Sequence, residues 1–234
     1  MVEKSSPNEN STDDRSPLTE SNTDSIRTVP LDEFSTPTFP EAIAAQVGER
    51  DLWIANIGGI KPDNLSKLNL SPKFVVSVSR TATEATTDHH PLKDAYVNGQ
   101  QKFTEAVETA RQRIQQDGTV IVNCAAGISR STTVMATAVA AEEEQSFEAV
   151  VEEIRQTWPR ADPHPKLQLN AQAYLATVTG HSEAQQRLEE LADSAYPGEE
   201  DKELVEDLLS QTTTDNTSNP ATGDNHNGGV SDGR

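Results

Sequence analysis

An apolar, β-branched run that passes directly into a loop of small residues and then into a helix constrains the fold of this chain more than any other feature. The run is TVIVN at 119–123, the loop reads CAAGISR, and the helix is predicted to extend from about Ser129 to Glu144. A second run of the same kind, FVVSVS at 74–79, also has the composition of a buried strand. Buried strands that alternate with helices are typical of an α/β layer with a largely parallel sheet.

The rest of the central region continues this alternation. The sequence predicts a strand over 51–57, a short helix that starts near Pro62, and a weaker strand over 86–92. Apolar residues at helical spacing predict the remaining core helices, over 99–116, 147–158 and 166–178. Segments 182–194 and 201–210 could form surface helices that the core does not need. We therefore expect a single α/β domain in which helices flank a central, mostly parallel sheet.

The distribution of charge separates this central region from two acidic ends. The 234 residues carry a net charge of −19, whereas residues 50–178 carry a net of only −2. The ends are rich in Ser, Thr, Asn and Asp, a composition that cannot bury enough apolar surface to fold. We predict a disordered acidic tail over 1–28, the folded domain over 29–180, and a largely disordered acidic tail with possible short helices over 181–234.

The same acidity limits the possible partners. Acidic ends disfavour nucleic acid and anionic membranes as main partners. Adaptation to high salt would be another source of acidity; it accounts for the run Glu142–Glu144 on a predicted helix but not for the near-neutral centre. The chain has one cysteine, which excludes an intrachain disulfide, and it shows neither a secretory signal nor an apolar run of transmembrane length. We therefore expect a cytoplasmic protein; the sequence does not indicate its oligomeric state.

The loop after the strand at 119–123 has the chemistry to hold a tetrahedral dianion. In parallel sheets ligands bind beyond the carboxyl ends of the strands, so the site is expected just after Asn123. Small residues let successive backbone N–H groups point inward, and the following helix directs its positive end at the same spot. That field favours the thiolate form of Cys124, while Arg130 can offer a planar fork to two phosphate oxygens. The predicted phosphate-binding residues are Ala125, Ala126, Gly127, Ile128, Ser129 and Arg130.

Here the residues carry a family resemblance. The stretch VIVNCAAGISRSTTV resembles the active-site signature of the dual-specificity branch of the protein tyrosine phosphatases, Cys-x5-Arg followed by Ser. The similarity extends to LWIANIGG and FVVSVS, to HHPLKDAYVNGQQKFTEAVETA, and to SFEAVVEEIRQTWPRADPHP, and so covers roughly residues 50–178. The resemblance implies a protein-tyrosine-phosphatase-like fold. It also implies hydrolysis of phosphotyrosine, and of phosphoserine or phosphothreonine, on protein substrates through a phosphocysteine intermediate.

The resemblance also implies a role for each matching residue. Cys124 is the expected nucleophile, and Arg130 is expected to bind phosphate and stabilise the transition state. Ser131 matches the hydroxyl that assists departure of the sulfur, although it could be only a helix N-terminal residue that bonds to backbone. Asp94 matches the general acid; it could instead make a local Asx turn, in which case Asp88 is the substitute. Because Arg130 and the backbone amides supply the charge stabilisation, no metal or other cofactor is expected.

Several alternatives remain open. The family usually has His immediately before the nucleophile, whereas this chain has Asn123. The substrate could be a phosphoinositide, a nucleotide or an RNA 5′ phosphate, but the absence of Lys or a second Arg from the loop favours simple monoesters. A phosphoprotein-binding module without turnover is a third reading, which the intact Cys124 disfavours. Adjacent residues on a strand point to opposite faces, so His89 and His90 are not predicted to form a metal site.

Overall fold

A six-stranded mixed sheet forms the centre of the computed structural model, which describes residues 26–30, 41–94, 99–179 and 182–195. The strands are β1 (Ile26–Pro30), β2 (Glu41–Gln46), β3 (Leu52–Asn56), β4 (Phe74–Ser77), β5 (Asp88–His89) and β6 (Val120–Cys124). Their order across the sheet is β1-β2-β3-β6-β4-β5. β3, β6, β4 and β5 pair in parallel, and β1 and β2 add an antiparallel edge. This confirms the prediction of a mostly parallel sheet.

Helices cover both faces of this sheet. They are α1 (Pro62–Lys67), α2 (Gly99–Ile114), α3 (Arg130–Glu143), α4 (Phe147–Thr157), α5 (Pro165–Thr179) and α6 (Ser182–Ala195). α3 packs on β6 and also contacts α2, α4 and α5. Every residue of α3 from Ser131 to Ala140 is buried, because its small side chains let the neighbouring elements approach closely. Within the described ranges, no helix is long and apolar enough to cross a membrane.

The alternation of side chains along β6 divides the core into two layers. Val120, Val122 and Cys124 face the larger cluster, which includes the buried side of α3. Ile121 faces the other cluster, together with Trp53 and residues around α1. All five residues of β6 are buried, as the β-branched run predicted. The strand is therefore anchored on both faces, and it carries Cys124 at its carboxyl end.

The described fold extends beyond the central region at both ends. β1 begins at Ile26, and the Arg27 guanidinium lies 4.7 Å from the centre of the Trp53 ring. At the other end, α6 buries Ala184 and Leu188 against α5, so this helix contributes to the core. The sequence predicts only a surface helix here, so the burial of Leu188 differs from that prediction. The second predicted helix of that region, over 201–210, lies outside the described residues.

Arginine side chains bind two of the three carboxylates in the acidic run at the end of α3. Glu142 accepts a hydrogen bond from Arg111 Nε at 2.7 Å, and Glu143 accepts one from Arg50 Nη2 at 2.5 Å. The hydrogen bond from Arg50 lowers the pKa of Glu143 below its ordinary value. Glu144 adopts a left-handed φ of 54° and ends the helix. Two of the three carboxylates therefore bind neighbouring elements to α3.

Candidate active site

Cys124 lies at the carboxyl end of β6, where the chain leaves the sheet and turns into α3. Its side chain is 1% exposed. Two donors point at its sulfur: the Gly127 N–H at 3.2 Å and the Ser131 hydroxyl at 3.3 Å. A sulfur anion accepts hydrogen bonds, so this arrangement suits a thiolate buried at the base of the loop.

Gly127 allows the loop to turn tightly against β3. Its φ of +72° lies in the left-handed region that side chains rarely adopt. A Cβ at this position would lie 3.0 Å from the carbonyl carbon of Ala55 and 3.1 Å from the nitrogen of Asn56, so a side chain would also meet rigid backbone. Glycine is therefore required here for two independent reasons.

The carbonyl groups of the loop bond to the surrounding scaffold. The Ala125 oxygen accepts from the N–H of Ile57 at 3.3 Å. Two donors from the turn between α4 and α5 hold the next carbonyls: Trp158 Nε1 donates to Gly127 O at 2.8 Å and the Asp162 N–H donates to Ile128 O at 3.0 Å.

These bonds determine where the loop N–H groups point. In a trans peptide the C=O of one residue and the N–H of the next point in opposite directions. The carbonyls of Ala125, Gly127 and Ile128 face the scaffold, so the N–H groups of Ala126, Ile128 and Ser129 face away from it. N–H groups in this orientation line a concavity in which they could donate to an anion. Phosphate binding by the loop stays a prediction of the sequence.

Arg130 and Asp94 meet at the rim of this concavity. Arg130 is the first residue of α3, and its Nη1 donates to the carbonyl of Leu92 at 3.2 Å. Its Nε lies 3.3 Å from Asp94 Oδ2, at ion-pair distance, although the N–H is not aligned for a hydrogen bond with that oxygen. Asp94 Oδ1 accepts from the Ser129 hydroxyl at 2.6 Å. The structure thus brings Cys124, Arg130 and Asp94 to one loop.

Comparison with known proteins identifies the fold. No family model matches the sequence, and no curated protein matches it. Among solved structures, a variant of human DUSP28 has a TM-score of 0.51 at 17% identity; the match covers 59% of this chain and 98% of that chain. A mouse putative dual specificity phosphatase complexed with zinc tungstate has a TM-score of 0.51 at 18% identity, and the match covers 65% of this chain and 95% of that one.

This chain has the dual-specificity phosphatase fold. The matches span nearly the whole of both solved chains, so the likeness is to an entire domain and not to one motif. At identities below one fifth it establishes the architecture alone. Within this dual-specificity phosphatase fold, the side chains around Cys124 determine the chemistry.

The open alternatives for Asp94 and Asp88 differ in their contacts. Among the described residues, the Asp94 carboxyl contacts Ser129 and Arg130, which belong to the loop and lie far along the chain. Asp88 lies on the edge strand β5 and is held by Arg113 and Thr87. The hydrogen bond from Arg113 lowers the pKa of Asp88 below its ordinary value. These contacts favour Asp94 as the carboxyl that serves the loop.

Ser131 and Asn123 flank the nucleophile in very different ways. The Ser131 hydroxyl points at the Cys124 sulfur, which favours the role implied by the family over that of a backbone cap. Asn123 is fully buried, and it pairs in register with Ala55 and Ser77. Because side chains alternate along a strand, its amide lies on the opposite face of β6 from Cys124. Neither polar atom of that amide has a hydrogen-bond partner among the described residues.

The polar contacts of two residues beside Cys124 and its loop were not predicted from the sequence. Asn56 is directly opposite Cys124 in the sheet; its Oδ1 accepts from the N–H groups of Ile43 and Gly59, and its Nδ2 donates to Glu41 O. Trp158 binds the loop carbonyl described above, although its spacing indicated only the apolar face of α4. A polar residue at the end of an apolar strand was the available signal for Asn56, but it does not reveal the partners.

Proposed function

We propose that the protein is a cysteine-dependent phosphatase that hydrolyses phosphate monoesters on proteins, at phosphotyrosine and at phosphoserine or phosphothreonine. One observation carries the proposal. The Nε–H of Arg130 is buried beside the loop; Asp94 Oδ2 lies 3.3 Å away, but the N–H has no aligned hydrogen-bond acceptor among the described residues. An unsatisfied buried donor is costly, and more so when it is charged. A phosphate oxygen would satisfy it.

The first chemical step would transfer the phosphoryl group to sulfur. The Cys124 thiolate attacks phosphorus, an S–P bond forms, and the bond from phosphorus to the ester oxygen breaks. Protonated Asp94 gives its proton to that oxygen, so the leaving group departs as a neutral alcohol or phenol. Arg130 and the loop N–H groups hold the three remaining oxygens, where charge is concentrated in the transition state.

The second step would return the enzyme to its starting state. Asp94, now a carboxylate, accepts a proton from a water molecule whose oxygen attacks phosphorus. A new P–O bond forms and the S–P bond breaks, releasing inorganic phosphate and the thiolate. The Ser131 hydroxyl, 3.3 Å from the sulfur, donates to the departing anion. Arg130 and the backbone amides supply the charge stabilisation, so neither proposed step uses a metal ion.

The test is turnover of 4-nitrophenyl phosphate in the presence of a chelator by the wild type and by Cys124→Ser. The serine variant should lose at least about three orders of magnitude in kcat, because its hydroxyl is not ionised near neutral pH. Its affinity for a phosphopeptide should change little, because the loop and Arg130 remain. Mass spectrometry of acid-quenched wild type should find a phosphate adduct on Cys124. Substantial turnover by the serine variant would remove the covalent mechanism.

A substrate panel then tests the protein-phosphatase assignment. The loop between Cys124 and Arg130 holds no Lys and no additional Arg, which favours a simple monoester over a polyanionic headgroup. We expect phosphopeptides to be hydrolysed with higher kcat/KM than phosphoinositides, nucleotides and RNA 5′ phosphates. A clear preference for one of these non-protein substrates would keep the mechanism and replace the substrate class.

A further inference from the structure

The hydroxyl of Ser129 connects two parts of the chain that the loop alone would not join. It donates to Asp94 Oδ1 at 2.6 Å, and it accepts from the N–H of His164 at 3.0 Å. Asp94 precedes α2, whereas His164 lies in the turn between α4 and α5. The same turn holds two loop carbonyls through Trp158 and Asp162. One side chain therefore links the candidate general acid to the scaffold that shapes the loop.

Other uses of this hydroxyl are weaker. Ser129 occupies the N-cap position of α3, yet its side chain makes no capping hydrogen bond to that helix. The backbone N–H of Ser129 faces the concavity, but its hydroxyl group is already hydrogen-bonded to Asp94 and His164. The hydroxyl is thus neither a helix cap nor a free donor for phosphate in this arrangement.

The direction of these bonds is compatible with both protonation states of Asp94. A backbone N–H can only donate, so the Ser129 oxygen must accept from His164. Its own hydrogen is then available to an ionised Asp94. When Asp94 is protonated, the proton can lie on Oδ2, where it is available to the leaving group, and Oδ1 still accepts the hydrogen bond from the Ser129 hydroxyl. The contact can therefore persist in both protonation states of Asp94, acid in the first step and base in the second.

We propose that Ser129 is a positioning residue that holds the Asp94 carboxyl over the loop throughout the reaction, with the turn after α4 as its anchor. This rests on the proposed phosphatase function. Residues that hydrogen-bond to metal ligands and orient them commonly change activity by about 10- to 100-fold when mutated, and we expect a similar effect for a residue that orients Asp94. Ser129 acts only through Asp94. Removal of its hydroxyl should therefore slow the hydrolysis of esters whose leaving group needs a proton, and leave other esters nearly unaffected.

The experiment compares Ser129→Ala with the wild type on two esters, phenyl phosphate and 4-nitrophenyl phosphate. Phenol is the poorer leaving group and depends more on proton donation. We expect kcat/KM for phenyl phosphate to fall about 10-fold or more, and that for 4-nitrophenyl phosphate to fall about threefold or less. The inhibition constant for inorganic phosphate should stay within about a factor of two of the wild-type value, because the loop N–H groups and Arg130 are unchanged. Ser129→Thr, which keeps the hydroxyl, should restore the wild-type ratio of the two esters.

A second background tests that the effect acts through Asp94. The Asp94→Asn variant has no carboxyl proton to position, so adding Ser129→Ala should cause almost no further loss of kcat/KM. Ser146→Ala is the matched control, because Ser146 caps α4 away from the site and should not alter either ester. Ser129→Gly removes the hydroxyl with a residue well tolerated at a helix N-cap, in case the alanine variant does not fold.

The outcomes separate this inference from the function on which it rests. Equal losses on both esters with weaker phosphate inhibition would make Ser129 a structural residue of the loop and overturn the proposal. Fully additive losses in the Asp94→Asn background would do the same. In both cases an active wild type leaves the phosphatase assignment intact. A wild type without turnover on any ester would overturn both.

Discussion

Arg113 holds Asp88 in a two-pronged ion pair, with Nη2 2.6 Å from Oδ1 and Nε 3.1 Å from Oδ2. The pair joins α2 to the edge strand β5, and the Asp88 side chain is only 14% exposed. A carboxyl fixed in this way is not free to reach a leaving group. Asp88 is therefore committed to α2, whereas Asp94, six positions later, contacts the loop.

The first prediction uses these two residues as a matched pair. Asp94→Asn should slow hydrolysis of a phosphotyrosine peptide by roughly 10²–10⁴, because the leaving oxygen loses its proton donor. Asp88→Asn should change the same rate by no more than about twofold, as expected for a substitution away from the site. Steady-state kinetics on the purified variants measures both. A large loss at Asp88 with little at Asp94 would reverse the assignment.

The second prediction concerns the pH dependence of stability at Asp88. Its pKa is lowered in the folded state from the ordinary value of 3.8, chiefly by the hydrogen bond from Arg113. The stabilisation is therefore fully present above that ordinary value and is lost as the pH falls through the folded-state pKa. Asp88→Asn should lower the free energy of unfolding by about 0.5–1 kcal/mol at neutral pH, the range for a partly exposed ion pair. Thermal unfolding of the two proteins should converge in strong acid; a gap that persists there would show that charge is not its cause.

The third prediction concerns α6. A chain that ends after residue 195 keeps this helix, whereas one that ends after residue 180 loses the fully buried Leu188 and Ala184. Burial of a leucine contributes about 2–5 kcal/mol to stability, so the shorter chain should unfold at a clearly lower temperature. The longer chain should match the full-length protein in melting temperature and in turnover of a small ester. Identical melting of all three would show that α6 adds nothing to the core.

The fourth prediction concerns the buried amide of Asn123. Its two polar atoms have no partner among the described residues, and it lies beside Ser77 on the face of the sheet away from the nucleophile. Replacing an unsatisfied buried amide by the near-isosteric leucine removes a penalty of about 1–3 kcal/mol. Asn123→Leu should therefore raise the midpoint of chemical denaturation and leave the rate of Cys124 alkylation by iodoacetate nearly unchanged. A drop in stability would mean that the amide is hydrogen-bonded after all.

Sequence reasoning succeeded where one local pattern decides the structure. The β-branched runs became β4 and β6, and the helical spacing of Phe103, Val107 and Ala110 became the buried face of α2. The position of the loop between β6 and α3 could be predicted because strand, loop and helix are consecutive in the sequence.

The features that the sequence did not predict depend on contacts between residues far apart in the chain. β2 reads EAIAAQ, and alanine has little preference for strands; its conformation is set by pairing with β1 and β3. Asn56 resembles any polar residue before a turn until the fold places Ile43, Gly59 and Glu41 around its amide. The Arg113 pair with Asp88 likewise requires α2 to be docked beside β5. Such partners are a property of the assembled sheet and not of local sequence.

The bond from Trp158 to the carbonyl of Gly127 gives the protein an optical reporter of the loop that follows Cys124. The chain has only two tryptophans, and the other, Trp53, packs in the layer on the far side of the sheet. The emission of an indole depends on the polarity and hydrogen bonding around its ring, and the Trp158 N–H is bonded directly to the loop. With Trp53 replaced by phenylalanine, occupancy of the concavity by an oxyanion could be followed by intrinsic fluorescence alone, without a label and without turnover.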